Sequence, residues 1–547
     1  MTGIAIRSNW SGVRRAALAC LLLMTWAAVP VFAQSYLDLY NFDCSAAGGG
    51  CTPEGALIQG TDSYLYGTTT GGGANGLGTI FKVSTTGSGY TVLWNFDSST
   101  GISTGGLTLS SFDGNLYGTT GNTLFRFVVS TQSLTVLHVF SSLEGFPAGP
   151  PVEDTNRNLF GVTSPGKAYV WKVGTSTYTL LKGKIPVTPA GPLYLASDKN
   201  LYGASLSGGA NDAGAVFSIT SGGKTSLVYS FTGLDDGQTP NAPLVEGKDG
   251  QLYTTAGSGG FFSGGTIVSL TLPTPTMPSS ETTQREFDEN GSDPYEPQTG
   301  LLAASDGNFY STTIHGGADN LGTIFQLQPG GSFFEYVDFS GTTGADPGAN
   351  PNANLMEHTN GTFYGVTPTG GTNGSGDGVL FSFTPPNPSN HVSLCCNWWV
   401  FLDQPVTILG SGFRGAINVM FGGAAAQFRV GSDTFLTARV PSGAIDAPIT
   451  VTMATGGQVL SAQSVHVLPK ITSLDPTGGP VGTVVNIVGG GFAGTTKVTF
   501  GGVAASNFTV ISPSLIQATV PSGAVTGKVV VTTPNGSATS KQTFTVS

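Results

Sequence analysis

Charged side chains are scarce in this chain, making up 10% of its 547 residues. The net charge is −11 and the basic residues are scattered singly, which argues against a surface that binds nucleic acid or an anionic membrane. The sequence is also poorly suited to helices, because the 82 Gly residues would weaken helix interiors but suit turns between strands. The 39% of apolar residues can still fill packed cores. The composition therefore predicts an all-β protein of several domains.

Long apolar runs are confined to the N-terminus. Arg14 and Arg15 precede an apolar stretch over 16–29, and residues 31–33 read Val-Phe-Ala, a small-residue cleavage site. This pattern predicts a signal peptide over 1–33 and an exported protein that is extracellular, on the cell surface or periplasmic. The arginine pair is also compatible with export by the twin-arginine route. No later stretch approaches 18 apolar residues, so no transmembrane segment is expected after cleavage.

Cysteine is rare, with five residues in the whole chain. Cys44 and Cys51 flank a short Gly-rich segment, and a disulfide could close this spacing in an exported protein. Cys395 and Cys396 are adjacent and fall between predicted domains. Each pair lacks a nearby pair of His residues, so we expect no zinc site, and no other metal or cofactor is predicted.

A five-residue pattern recurs seven times along the chain. The copies are LYGTT at 65–69, LYGTT at 116–120, LFGVT at 159–163, LYGAS at 201–205, LYTTA at 252–256, FYSTT at 309–313 and FYGVT at 363–367. An Asp or Asn stands three residues before each copy, and a second apolar segment such as GTIFKV (78–83) follows. A third segment commonly ends in Phe, as in TVLWNF (91–96). With a short apolar piece before the turn, each repeat predicts a four-stranded sheet, the size of a propeller blade.

The two ends of the repeat region complement each other. The segment YLDLYNF (36–42) copies the Phe-ending strand without a preceding pentapeptide, whereas the last repeat runs into the Pro-rich 385–390 without such a strand. If the first strand completes the last sheet, the ring closes and has no exposed sheet edge. An open solenoid gives no reason for this complementarity. We therefore predict a seven-bladed β-propeller over 35–385.

The repeat unit resembles a known family. The sequence Asp-Gly-Asn-Leu-Tyr-Gly-Thr-Thr (113–120), and Gly-Thr-Ile-Phe-Lys (78–82) after a Gly-rich loop, are similar to the GloVer repeats of bacterial "choice-of-anchor tandem repeat" proteins. The resemblance covers about 35–385 through its recurrence. The resemblance brings no established enzymatic activity or binding residues to carry over to this chain.

Two related units follow the repeats. The segment VTILGSGFRGAINVMFGGAAAQF (406–428) matches VNIVGGGFAGTTKVTFGGVAASNF (485–508), and a Val-Pro-Ser-Gly stretch comes later in both. These units resemble IPT/TIG domains, which implies immunoglobulin-like sandwiches over 386–468 and 469–547. The first unit lacks the usual opening and has residues 392–404 in its place. Its Trp398-Trp399 pair could belong to the sandwich core or pack between domains, and we favour packing between domains.

Five repeats carry a long loop between the pentapeptide and the next strand, and equivalent loops of a propeller share one face. Because rigid scaffolds commonly carry recognition on their loops, these tips are the candidate ligand-binding residues for carbohydrate or a protein partner. The candidates are Asn75, Asn211, Asp212, Phe261, Phe262, His315, Asp319, Asn320 and Asn373. The alternative is that the loops have no function. The seven Asp and Asn turn residues lie a blade apart and are assigned to turn formation instead of calcium binding.

Catalytic patterns are sparse, and no catalytic residue is assigned. The five His residues are scattered. The acidic residues over 286–296 could act as paired carboxylates on glycosides, but an exposed acidic insertion explains them as well. The preferred hypothesis is an exported, non-enzymatic binding or cell-surface interaction protein. The alternatives are a polysaccharide-acting enzyme with accessory IPT/TIG domains, and a structural envelope component.

Overall fold

The computed structural model describes residues 35–46, 49–154, 156–272, 279–290, 293–358, 360–385, 392–394, 399–410, 413–431, 435–454 and 457–547. The predicted signal peptide, Cys395, Cys396 and Trp398 lie outside these residues. The described chain is built of β-strands with two short 3-10 turns, Val173–Thr175 and Phe413–Gly415. No helix in this part of the chain is long and apolar enough to cross a membrane.

Seven antiparallel sheets form the repeat region, and they are numbered here by repeat. Sheet 1 holds Ile58–Gln59, Leu65–Thr69, Thr79–Val83 and Thr91–Asn95. Sheet 2 holds Thr108–Leu109, Leu116–Thr119, Thr123–Val128 and Ser133–Val139. Sheet 3 holds Val152–Glu153, Asn158–Ser164, Lys167–Lys172 and Thr177–Lys184, with Phe146–Pro147 added. Sheet 4 holds Tyr194–Leu195, Leu201–Ser205, Ala215–Ile219 and Thr225–Ser230. Sheet 5 holds Val245–Glu246, Gln251–Ala256, Ser263–Thr271 and Glu281–Asp288. Sheet 6 holds Leu302–Ala303, Phe309–Thr313, Thr323–Leu327 and Phe333–Asp338. Sheet 7 holds Met356–Glu357, Phe363–Thr367, Val379–Thr384 and the N-terminal strand Ser35–Asn41. A small extra pair joins Gly50–Cys51 to Gly71–Gly72.

The recurring pentapeptide is the second strand of each sheet. In sheet 1 all five residues of Leu65–Thr69 are buried, whereas the fourth strand, Thr91–Asn95, is largely half-buried or exposed. A Gly fits the centre of the pentapeptide because a Cβ on Gly67 would lie 2.6 Å from the Phe81 ring on the next strand. The pattern predicted from sequence therefore marks the interior of each sheet, and the variable strands face outward.

The N-terminal strand completes sheet 7, as the sequence predicts. Ser35–Asn41 pairs antiparallel with Val379–Thr384, with Tyr36 opposite Phe383 and Leu37 opposite Ser382. The amide of Phe42 continues the pairing and donates to the Gly378 carbonyl at 2.9 Å. The last sheet thus gains its fourth strand from the other end of the repeat region.

Each sheet packs on the next through a hydrophobic cluster, and sheet 7 packs on sheet 1 in the same way. Seven such clusters follow one another around the repeat region. The cluster between sheets 7 and 1 contains Phe42, Phe81 and Tyr364, each no more than 2% exposed. Because burial of apolar surface between all neighbours drives this packing, no sheet is left with an unpacked face at a seam.

The repeat region has two distinct faces. In each sheet the turns between strands one and two, and between strands three and four, emerge at one end, which we call the turn face. The loops between strands two and three, and the connections from one sheet to the next, emerge at the opposite end, which we call the loop face. Loops and connections pair with each other there, as in the antiparallel bridge between Tyr295 and His315.

Two sandwiches follow the repeats. The first contains Val392–Leu394, Trp399–Phe401, Pro405–Gly410, Ala416–Phe421, Ala424–Ala425, Phe428–Val430, Phe435–Arg439, Ala447–Met453 and Gln458–Leu468. The second contains Lys470–Asp475, Gly478–Gly479, Val484–Gly490, Lys497–Phe500, Val503–Ala504, Phe508–Ser512, Leu515–Thr519, Gly527–Thr533 and Gly536–Val546. Each encloses its own hydrophobic core. The unusual opening of the first unit still pairs in parallel with its last strand, since Trp399–Phe401 lies beside His466, Val467 and Leu468.

The sandwiches contact the turn face of the repeat region. The Lys199 ammonium lies 4.9 Å from the Trp399 ring centre, and the Arg157 guanidinium lies 5.3 Å from that of Phe401. Lys199 also donates to the Pro534 carbonyl of the second sandwich. Trp399 is 6% exposed and lies between Lys199 of the repeat region and His466 of its own sandwich, so the predicted interdomain contact is present for this residue. The loop face makes none of these contacts.

Candidate functional site

The recurring Asp residues are part of the turns. In sheets 1, 2, 4, 5 and 6 one carboxylate oxygen accepts the backbone N–H two residues on, and the other accepts the hydroxyl of the Tyr four residues on, at 2.7–2.8 Å. Asp62 and Tyr66 are the pair in sheet 1. Burial and the adjacent Asp62 carboxylate raise the pKa of Tyr66 well above its usual value. Within the described ranges, no group of three or more His, Cys, Asp or Glu could hold a metal ion.

Three of the predicted loop residues form hydrogen bonds that hold their own loops to the sheets. The Asn75 amide donates to the Phe96 carbonyl at 3.0 Å, Asn211 donates to Phe231 at 3.0 Å, and Asn373 donates to Phe42 at 2.9 Å. In each case the acceptor belongs to the Phe that ends the outermost strand. The side-chain amides therefore hold the loops against the sheets, and their ability to bind a ligand is reduced.

Two further candidates shape the loop backbone. The Asp212 carboxylate accepts the Gly208 amide at 2.8 Å, and the Asn320 side chain accepts the Gly316 amide at 2.9 Å. Both residues have a positive φ, 57° and 56°, a conformation that Asp and Asn adopt more readily than most residues. These bonds give the loops a defined shape. Five of the nine candidates thus have a role within the loop.

The remaining four candidates face outward to different degrees. Phe261 is 75% and Phe262 46% exposed, and their rings meet edge to face at 4.9 Å. The His315 imidazole lies 3.1 Å from the Glu296 carboxylate. Asp319 is exposed at the tip of its loop. Phe261 and Phe262 are the candidates that present the most surface able to contact a partner.

The structure shows exposed apolar residues that were not among the candidates predicted from the long loops. Large side chains stand at 46–83% exposure on the loop face of sheets 2 to 5. We call this set the apolar rim: Ile102, Leu143, Phe146, Leu206, Leu234, Phe261 and Phe262. Most of the added residues lie on connections between sheets, whereas the predicted candidates lie on loops within a sheet. Their sequence signal was a large apolar residue in a Gly-rich connection just after the Phe-ending strand.

The rim residues of sheets 4 and 5 are linked through backbone bonds. The Gly260 amide donates to the Leu234 carbonyl at 2.9 Å, which joins the connection before sheet 5 to the loop that carries Phe261. The Phe261 amide donates to the Glu286 carboxylate at 3.1 Å. Leu234 and Phe261 are therefore held next to each other although they are 70% and 75% exposed.

Charged side chains cross three seams near the turn face. Glu153, Glu246 and Glu357 occupy the innermost strands of sheets 3, 5 and 7. The carboxylate of Glu246 accepts both the amide of Ser197 at 2.7 Å and its hydroxyl at 2.5 Å. Equivalent pairs link Glu153 to sheet 2 and Glu357 to sheet 6. Serine on sheets 2, 4 and 6 thus pairs with glutamate on sheets 3, 5 and 7.

A cavity of about 690 Å³ lies between the turn face and the first sandwich. Its walls include innermost strands of sheets 2 to 6 and, from the sandwich, Trp399, Ser464 and His466. Glu153, Glu246 and Lys248 bring charged groups to the cavity wall. Burial raises the pKa of the Glu153 carboxyl, although the bonds from sheet 2 oppose this shift. None of the nine loop candidates lines this cavity.

Cys44 and Cys51 form a disulfide in the connection that leads into sheet 1. The bond closes a loop with a sequence separation of 7, beside the extra strand pair of Gly50–Cys51 and Gly71–Gly72. It therefore fixes the entry to the first sheet on the loop face.

The acidic residues considered for catalysis do not line the cavity, and two of them bond to loop residues instead, Glu286 to the Phe261 amide and Glu296 to His315. Asp293 binds Arg285 through both carboxylate oxygens at 2.9 and 3.0 Å. Asp288 accepts the Asn290 amide at 2.8 Å at the end of an outer strand, and Glu289 is exposed. These groups lie on the outer edge of sheet 5 and do not line the cavity.

Similarity to solved structures is distant. A fungal alcohol oxidase of the AA5 family, in complex with copper, is 13% identical with a TM-score of 0.34, covering 66% of this chain and 96% of its own. A putative gluconolactonase is 11% identical with a TM-score of 0.34, covering 52% and 88%. A surface glycan-binding protein from Prevotella bryantii is 18% identical with a TM-score of 0.20, covering 27% and 38%. TM-scores this low support no conclusion about function. No curated protein matches the chain.

Family models match most of the chain. The model of the Gloeobacter/Verrucomicrobia repeat matches residues 29–176 and 276–395, which hold sheets 1, 2, 6 and 7, most of sheet 3 and the outer strand of sheet 5. The model of the IPT/TIG domain matches 399–467 and 469–546, the two sandwiches. The chain therefore belongs to the Gloeobacter/Verrucomicrobia repeat family and carries two C-terminal IPT/TIG domains.

Proposed function

We propose that residues 35–385 form a seven-bladed β-propeller, followed by immunoglobulin-like domains over 386–468 and 469–547. The closing strand Ser35–Asn41 and the hydrophobic cluster at every seam support this architecture. The ring gives the protein a rigid scaffold with two faces. The sandwiches contact the turn face, and the loop face is left for a partner.

We propose that the protein is an exported, non-enzymatic binding protein that recognises its partner through the loop face. The observation that carries this proposal is the apolar rim, in which seven large apolar side chains stand exposed on one face. Exposed apolar side chains gathered on one face are typical of interaction sites, since their burial by a partner is favourable. The disulfide between Cys44 and Cys51 supports export, because such bonds persist in oxidising compartments.

The chemistry of the rim favours a protein partner over a carbohydrate. Four of its seven members are the aliphatic residues Ile102, Leu143, Leu206 and Leu234. Aliphatic side chains bind by area burial alone, whereas sugars need directed hydrogen bonds as well. The polar loop residues that could supply such bonds, including Asn75 and Asn211, are already paired within their loops.

Paired substitutions test this proposal. The mature protein is screened against purified cell-surface proteins and a glycan array, and any hit is then measured by biolayer interferometry. The variant Leu234→Ser/Phe261→Ser is expected to bind the partner at least tenfold more weakly, because it removes adjacent anchors of the rim. The control Phe334→Ser changes an aromatic residue that is 45% exposed on the outer strand of sheet 6, and should bind as the wild type does.

Two results would contradict the proposal. One is a folded protein, judged by circular dichroism, that binds no protein or glycan in either screen. The other is a partner whose affinity is the same for wild type and the rim variant. A hit on the glycan array that depends on the rim would retain the loop face and replace the protein partner with a carbohydrate.

A further inference from the structure

The cavity at the turn face has the properties of a second binding site. Its volume of about 690 Å³ falls within the range of pockets that enclose small ligands. It is lined by both the repeat region and the first sandwich, so its wall is complete only when these two units are in contact. It lies on the face opposite the apolar rim and is independent of the partner proposed for that rim.

The cavity wall carries acceptors that are held in place. Each carboxylate oxygen of Glu246 accepts one hydrogen bond from Ser197, at 2.7 and 2.5 Å. Glu153 is held in the same way by Ser111, at 2.7 and 2.9 Å. A carboxylate oxygen can accept two hydrogen bonds, so each oxygen keeps capacity for a donor from a ligand. The two carboxylates are therefore fixed acceptors on the innermost strands.

Donors and ring surfaces complete the wall. The Lys248 side chain lines the cavity and forms no salt bridge among the described residues, which leaves its ammonium group available as a donor. Tyr194, Phe309 and Trp399 add aromatic surface. The indole of Trp399 stacks on His466 with ring centres 4.4 Å apart, which holds it at the cavity edge.

We propose that this cavity binds a short neutral oligosaccharide. Sugar hydroxyls both donate and accept, so they can bond to Glu153 and Glu246 and also to Lys248, while the apolar faces of the sugar rings lie against aromatic side chains. A multiply charged anion would meet two carboxylates and one ammonium group. A purely apolar ligand would leave the Lys248 ammonium and the remaining acceptor capacity of both carboxylates unused. The repeat region and the first IPT/TIG domain therefore both contact the ligand.

The test fills the cavity without removing a side chain. Ala303 lines the cavity on the innermost strand of sheet 6, at the register where sheets 2 and 4 carry Leu109 and Leu195. The variant Ala303→Leu therefore places in sheet 6 a residue that the same fold already accepts. Maltotriose, cellotriose, mannotriose and xylotriose serve as neutral probes, and trigalacturonate as a charged one. Binding to the full mature chain is measured by isothermal titration calorimetry.

We expect at least one neutral probe to bind and Ala303→Leu to weaken it at least tenfold. Lys248→Met, an exposed substitution with little effect on folding, should weaken it at least threefold. The rim variant Leu234→Ser/Phe261→Ser should leave it unchanged, which separates this site from the loop face. The proposal is overturned if no neutral probe binds the folded chain, if trigalacturonate alone binds, or if Ala303→Leu and Lys248→Met both bind as the wild type does.

Discussion

Truncating Phe42 provides a direct measure of ring closure. Phe42 lies just after the N-terminal strand, is fully buried, and contacts Phe81 at 5.5 Å and Tyr90 at 5.8 Å between ring centres. The cluster that holds it joins sheet 7 to sheet 1. Replacing a buried Phe by Ala lowers the free energy of unfolding by about 3–5 kcal/mol, because apolar contacts are lost and a cavity remains. For a domain of about 350 residues the Tm should fall by about 4–7 °C.

Two control variants separate closure from general destabilisation. Phe231→Ala removes the equivalent buried Phe at the seam between sheets 4 and 5, and should lower the Tm by a similar amount. Leu37→Ala changes a residue of the N-terminal strand that is 57% exposed, and should alter the free energy of unfolding by less than about 0.5 kcal/mol. Differential scanning calorimetry of the mature chain measures all three.

One outcome would refute closure by the N-terminal strand. If Phe42→Ala changed the Tm no more than Leu37→Ala, while Phe231→Ala lowered it by several degrees, the N-terminal strand would not be packed into the ring in solution. Deletion of 35–42 would then also leave the Tm of the repeat region unchanged.

Three further predictions concern single contacts. Glu246→Leu removes two charge-assisted hydrogen bonds from Ser197 but keeps the strand register, so the free energy of unfolding in urea should fall by about 1–3 kcal/mol. An unchanged urea midpoint would show that the bonds between Ser197 and Glu246 do not stabilise this seam. Partial desolvation of its carboxyl group and a hydrogen bond to the neighbouring Asp338 raise the pKa of Glu335 to about 8, so the folded state holds a proton that the unfolded state releases near pH 4.5. Stability should therefore fall as the pH rises from about 4.5 to 8, and Glu335→Gln should flatten this part of a Tm–pH profile. Cys51→Ser should lower the Tm and open the adjacent loop to limited proteolysis, whereas equal protection in wild type and variant would show that the disulfide does not order it.

The repeat signal predicted the strands well because it is local. Pentapeptides such as Leu65–Thr69 are strands in the structure, and the following segment forms Thr79–Val83. The alternation of apolar residues and the Asp turn between them act over a few residues, so they can be read from the chain directly. The first strand of each sheet was shorter than its apolar piece suggested, as with Ile58–Gln59, because only two residues pair there.

The candidate site was harder to predict because its residues act through distant partners. Asn373 donates to the carbonyl of Phe42, which is 331 positions away, and no local pattern shows that this amide is already used. Ser197 has counterparts at the same position of sheets 2 and 6, and Glu246 has counterparts at another position of sheets 3 and 7, so both sets can be read from the repeats. Only the packing of neighbouring sheets shows that the hydroxyl and the carboxylate form a hydrogen bond.

By itself the sequence determined an all-β chain, the number and order of its repeats, the strand that completes the last sheet, and two IPT/TIG domains, because each depends on patterns repeated along the chain. The tertiary structure decided which side chains remain available for binding. In the folded chain the side-chain amides of the loop Asn residues bond to the backbone, and Leu234 is exposed beside Phe261. Trp399 of the first sandwich and Glu246 of the repeat region line the same cavity. Exposure and convergence are properties of packing between segments far apart in the chain, so only the folded molecule could show them.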